Sequence, residues 1–148
     1  MSPPQVSFLQ EAYPLLFRKS PEVTCGDGWF PLINEASAKI EAILREVCGS
    51  PEKIQEVIAN PKYEDLIFIF QIKEKFGGLR YNLWGNWETM TEEQGDLIYQ
   101  ILDDLESASR TVCEVCGTSG LTRKIKLFHT TLCDSHYQEI CDGMEKKK

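Results

Sequence analysis

Four residues near the C-terminus have the types and the spacing of metal ligands. Cys113 and Cys116 are separated by two residues, sixteen residues follow, and Cys133 and His136 are again two residues apart. Two donors at that spacing can grip one ion from a tight turn, and a second pair closes the site from a distant part of the chain. Zinc takes four tetrahedral ligands from thiolate sulfur and imidazole nitrogen. Cys113, Cys116, Cys133 and His136 are therefore expected to hold a structural Zn2+. Cys141, eight residues after Cys133, is the alternative to His136 as fourth ligand. Gly117 follows Cys116, where a knuckle turn favours a residue tolerant of positive φ.

The elements around these residues must bring the two pairs together. Residues 121–132 are long enough for a small hairpin. A helix over residues 133–141 would place Cys133 and His136 on one face. Knuckle, hairpin and ligand-bearing helix together resemble a treble-clef zinc finger over residues 113–141. Such knuckles also surround HNH nuclease sites, in which His129 would be the general base. His129 stands only four residues before Cys133, and the downstream Asn and His of those sites have no counterpart. No catalytic residue is therefore expected.

Charge marks a boundary just before the first cysteine pair. Residues 86–109 hold seven acids and no base, whereas residues 110–148 hold seven bases and five acids. The expected organisation is an α+β body over residues 1–109 and a zinc-binding module over residues 110–148. Helices of the body would pack on a small antiparallel hairpin or sheet.

The apolar spacing of Val6, Leu9, Tyr13, Leu16 and Phe17 predicts a helix that Pro14 kinks or ends near Tyr13. A loop is expected from Ser20 through Cys25-Gly26-Asp27-Gly28-Trp29, with Asp27 bonded within it. Asn34 and Gly49 would cap a second helix, and Ser50-Pro51 would start a third. Residues 65–73 and 79–84 read as the strands of a hairpin joined by a longer loop at Glu74–Gly78. Thr91 and Gln94 form a capping box for a long helix.

Three further groups of residues have functional readings. Cys25 beside Asp27 could be a reactive thiol, but a nucleophilic cysteine needs a base; packing of Trp29 and Phe30 is the better account. Lys73, Lys75 and Arg80, near Phe76, Tyr81 and Trp84, could bind an anion at one hairpin end. Arg123, Lys124 and Lys126, with the tail Lys146–Lys148, form a basic cluster that could touch nucleic-acid phosphates.

The segments CGDGWF, KEKFGGLRYN, CxxCG and LCxxH together resemble those of small bacterial and bacteriophage proteins with no assigned activity. That resemblance implies a bacterial or phage-infected cytoplasm and no particular reaction. The chain has 148 residues, 42% hydrophobic and 26% charged, which excludes wholesale disorder. Its longest apolar run, Leu66 to Phe70, is far short of a membrane span. The N-terminus lacks the cationic start and apolar stretch of a secretory signal, so reduced cysteines are expected rather than a disulfide framework. The net charge of −7 argues against coating nucleic acid indiscriminately. The functional expectation is a non-catalytic, zinc-stabilised protein that modulates or inhibits another protein. Nucleic-acid binding by the finger and small-anion binding at Lys73–Arg80 are the alternatives.

Overall fold

A computed structural model describes residues 1–145; the Lys146–Lys148 part of the basic cluster lies outside the described residues. Helix α1 (Pro3–Ala12) stops before Tyr13, as Pro14 predicts. The next twelve residues differ from expectation. They contain a short strand, β1 (Glu22–Thr24), within the segment read as loop. Three residues carry no period of their own, and β1 exists only because it pairs with a distant strand.

Helix α2 (Phe30–Cys48) ends at Gly49, whose φ of +81° suits glycine. It begins at Phe30 rather than at Asn34. Pro31 lies in its first turn, where a missing N–H leaves nothing unpaired. Asn34 sits inside the helix and accepts a hydrogen bond from the Tyr13 hydroxyl. Helix α3 (Pro51–Ala59) is capped as expected: Ser50 Oγ accepts from the Lys53 N–H at 3.2 Å.

Strands β2 (Phe68–Lys75) and β3 (Gly78–Trp84) pair antiparallel, and β1 adds to β2 in parallel, in the order β1-β2-β3. The expected longer loop is a two-residue turn. Phe76 and Gly77 both take positive φ, +55° and +83°. Tight hairpins favour that geometry, but it is uncommon for a phenylalanine, so the sequence hid the turn. A register shift between Ile69 and Gln71 leaves Phe70 bulged. Helix α4 (Glu92–Ser109) carries the full capping box, with Thr91 and Gln94 exchanging bonds of 2.9 and 3.1 Å. Such a cap contributes about 1 kcal/mol by satisfying N–H groups that every helix start leaves open.

Helices α2 and α4 cover one face of the sheet. Ile40, Leu44, Ile69, Ile72 and Ile98 are fully buried there, and Tyr81 reaches Ser37 on α2 through a 2.8 Å hydrogen bond. Arg18 ties its loop to the segment leading into β2 by donating to the carbonyls of Leu15, Tyr63, Leu66 and Ile67. The molecule is thus mixed α+β, but its main sheet is mixed rather than purely antiparallel.

The C-terminal region contains strands β4 (Leu121–Ile125) and β5 (Phe128–Leu132), an antiparallel hairpin, and helix α5 (Asp134–Glu145). It abuts the tip of the β2–β3 hairpin, where Thr131 Oγ1 donates to the Gly77 carbonyl at 2.6 Å.

Candidate metal centre

The two ligand pairs come from a turn and from a strand end. Cys113 and Cys116 flank a tight turn closed by the Gly117 N–H to the Cys113 carbonyl at 2.9 Å. Gly117 takes φ +80°, which its lack of a side chain permits. Cys133 follows β5, and His136 lies in the first turn of α5, where the Tyr137 N–H bonds the Cys133 carbonyl. The four donor atoms all lie within 4.8 Å of one another.

The separations fit a tetrahedron. Cys116 and Cys133 sulfurs are 3.8 Å apart, and His136 Nδ1 lies 3.7 Å from Cys113 Sγ and 3.2 Å from Cys133 Sγ. An ion bound at about 2.3 Å from sulfur and 2.0–2.1 Å from nitrogen has tetrahedral edges of roughly 3.5–3.8 Å. This Cys3His group can therefore hold one metal ion. The protein also favours the ligand form of two thiols. The His136 backbone N–H, 3.5 Å from Cys133 Sγ, is the main cause that lowers the Cys133 thiol to about 6. The Thr118 hydroxyl, 3.1 Å from Cys116 Sγ, lowers that thiol too. Burial raises Cys113, while contact with Cys133 raises His136.

The segment Cys25–Trp29 is the socket of this centre, a role its sequence did not disclose. Gly26 N–H donates to Glu114 Oε1 at 2.9 Å, and Gly28 N–H donates to the Glu114 carbonyl at 2.7 Å. Trp29, fully buried, donates its indole N–H to the Val112 carbonyl at 2.9 Å. The glycines permit this approach: a Cβ on Gly28 would lie 2.1 Å from the Cys113 carbonyl oxygen, and one on Gly26 2.3 Å from that of Glu114. Two glycines around one aspartate were the available signal, but their partner is some ninety residues away. Asp27 accepts from the Ser2 N–H at 2.8 Å, not from its own loop. Cys25 is buried, which pushes its thiol up to about 12 and keeps it protonated near neutral pH.

The other candidate residues separate. Cys141 lines a cavity with Lys124, Ile125, Lys126 and Tyr137 and does not belong to the four-donor group. His129 is exposed on β5 beside Phe76, their ring centroids 6.4 Å apart. Lys73 and Arg80 are cross-strand partners, with Lys75 two residues along on the same face. Arg80 is committed to Glu106 at 2.9 Å, and Arg110 shares that carboxylate at 3.1 Å. Arg123 is held by Asp134 and by the Tyr137 ring, whereas Lys124 is exposed opposite His129. No helix among the described residues is long and apolar enough to cross a membrane. The chain matches no family model, no curated protein and no solved structure.

Proposed function

We propose that the protein is a non-catalytic, zinc-stabilised binding protein, with a treble-clef-like module built on Cys113, Cys116, Cys133 and His136. The observation that carries this reading is the closed Cys3His tetrahedron seated in the glycine socket at 25–29. Four protein ligands fill a tetrahedral zinc ion, leaving no position at which substrate or water would be activated. The chemistry of the donor set, three sulfurs and one imidazole, selects zinc over hard cations that prefer oxygen. In this reading the metal is a brace: it fixes the β4–β5 hairpin beside the tip of β2–β3, where Thr131 meets Gly77.

The function is then binding to a cytoplasmic macromolecule of a bacterial or phage-infected cell. The sequence resemblance supports modulation of another protein. The exposed face of the main sheet, with lysines between aromatic rings, favours a nucleic acid as the second reading. Elemental analysis of the purified protein tests the metal. About one zinc per chain is expected, falling in Cys113→Ser and Cys133→Ser; less than about half an equivalent in fresh wild-type protein would overturn the assignment.

A further inference from the structure

The main sheet has two unlike faces. Ile72, Leu79 and Tyr81 point inward to the core. Between them in sequence stand Gln71, Lys73, Lys75, Arg80 and Asn82, which point outward because side chains alternate along a strand. The register pairs Gln71 with Asn82 and Lys73 with Arg80 on this outer face. One end of the face carries Trp84 and the bulged Phe70, 62% and 48% exposed, their rings edge-to-face at 6.4 Å. The other end carries Phe76, 63% exposed and held at positive φ.

Exposed aromatic rings at both ends of one sheet face are costly to leave in water. Phe76 bears a second cost, since a bulky side chain at positive φ is strained where glycine or asparagine would not be. Between the rings, positive charge runs in a single lane on the central strand. Among the described residues, Lys73 and Lys75 have no carboxylate within 4.0 Å. Acids border the lane on both sides. Glu22 on β1 accepts from Gln71, and Glu106 with Asp103 on α4 flanks β3.

Those borders select the ligand. A duplex would lay its second phosphate backbone over one acidic border, and a flat anionic membrane would press against both. A single strand fits between them and offers unpaired bases to the rings. We propose that the outer face of the β1-β2-β3 sheet binds single-stranded nucleic acid. Phosphates follow Lys75 and Lys73, and bases stack on Trp84 and Phe70 at one end and on Phe76 at the other. From Lys75 to Phe70 the lane is about 17 Å long, enough for about four nucleotides, at the short end of single-strand sites.

This inference rests on the second, nucleic-acid reading of the binding protein and names the strand and the surface that takes it. The test is fluorescence anisotropy of the full chain with labelled oligothymidylate, oligouridylate and a mixed-sequence duplex, with zinc content measured on the same sample. Binding of either single strand at low salt is expected, at least tenfold tighter than duplex; the two single strands tell DNA from RNA. With about two phosphates neutralised, by Lys73 and Lys75, the logarithm of affinity should fall against that of salt with a slope of about −1.4. Loss of a stacked base predicts at least fivefold weaker binding for Trp84→Ala. Lys73→Glu should weaken binding comparably, whereas Lys39→Glu, the same charge change on the opposite side, should not. Absence of single-strand binding at low salt would overturn the proposal, as would equal affinity for duplex. So would unchanged affinity in both Trp84→Ala and Lys73→Glu. Because the face belongs to the apolar body, it can be assayed at any zinc content. Zinc-replete protein that binds no strand refutes this inference alone; zinc-free protein that binds strands refutes the metal assignment alone.

Discussion

Ile40 and Ile72 in the body are fully buried, whereas Leu121, Leu127 and Phe128 in the C-terminal module are 65%, 88% and 75% exposed. Helix α2 buries seven side chains, while α5 buries none. The body excludes water from a continuous apolar core, which is the main favourable contribution to folding. The module has little to bury: its turn at 113–117 and its hairpin are too short to repay the entropy of ordering them. Its order is expected to depend on links that cross-connect distant residues: first the metal that Cys113, Cys116, Cys133 and His136 can hold, then the socket at Gly26 and Gly28. The two regions are therefore expected to respond to different insults.

Metal removal should produce the largest difference. Structural zinc in small modules contributes about 10–16 kcal/mol of binding free energy, which is folding free energy for the module. Chelation should therefore erase hydrogen-exchange protection across β4, β5 and α5 while leaving that of Ile40, Ile69 and Ile72 amides in place. Protection lost together in both regions would show that they fold as one unit.

Gly28→Ala separates the socket from the metal. Its Cβ would meet backbone on the knuckle, at 2.1 Å from the Cys113 oxygen and 2.6 Å from the Gly117 nitrogen, and backbone cannot swing away as a flexible side chain can. A loss of about 1–3 kcal/mol is expected, the usual range for an overpacked site. The variant should still bind one zinc. Thermal unfolding with metal analysis checks both parts; zinc lost along with stability would mean that socket and centre are inseparable.

This contrast also marks what a reader of the sequence could and could not find. The four metal-ligand candidates share two short spacings, so local reading brings Cys113 to Cys116 and Cys133 to His136. The capping box at Thr91 and the stop at Gly49 are local too. The partners of Gly26 and Gly28 are not, because only the folded chain brings Glu114 and Cys113 beside them. Strand β1 is hidden in the sequence for the same reason: its three residues are ordered by pairing with Gln71, Ile72 and Lys73. Phe76 misled in another way, since its residue type argues against the left-handed turn it occupies. Arg80 and Arg123 looked like free cations, but Glu106 and Asp134 engage them from other elements.

The body's core contains one acid whose titration can be followed apart from the metal. Glu41 is buried and accepts from the Leu15 and Leu16 N–H groups at 2.9 Å each. Burial is the largest influence and raises its carboxyl above the ordinary 4.5, against the lowering effect of those two bonds and of Arg45 and Arg18. The folded state thus holds this proton more readily than the unfolded chain does. The group's favourable contribution is present below about 4.5 and is lost as pH rises through the raised value. Wild type minus Glu41→Gln, compared by melting temperature, should therefore shrink from about pH 4 to about pH 7. Both proteins share the metal centre, so its own acid sensitivity cancels in the difference. A gap that widens with pH would reverse the assigned direction.

The smallest effect is the most direct probe of whether the regions are coupled. Gly95 lies inside α4, and a Cβ there would meet nothing within 4 Å. Alanine restricts the unfolded chain without a clash in the folded one, so Gly95→Ala should stabilise the body by about 0.5–1 kcal/mol. For a chain of this size that is a rise in melting temperature of about 1–4 °C. The same rise should persist after chelation, because α4 packs on α2 and the sheet rather than on the metal centre. If the rise vanishes with the metal, α4 gains its stability through the module, by way of Ser109, Arg110 and the Cys113 knuckle that follows them. The body would then lose its claim to fold independently.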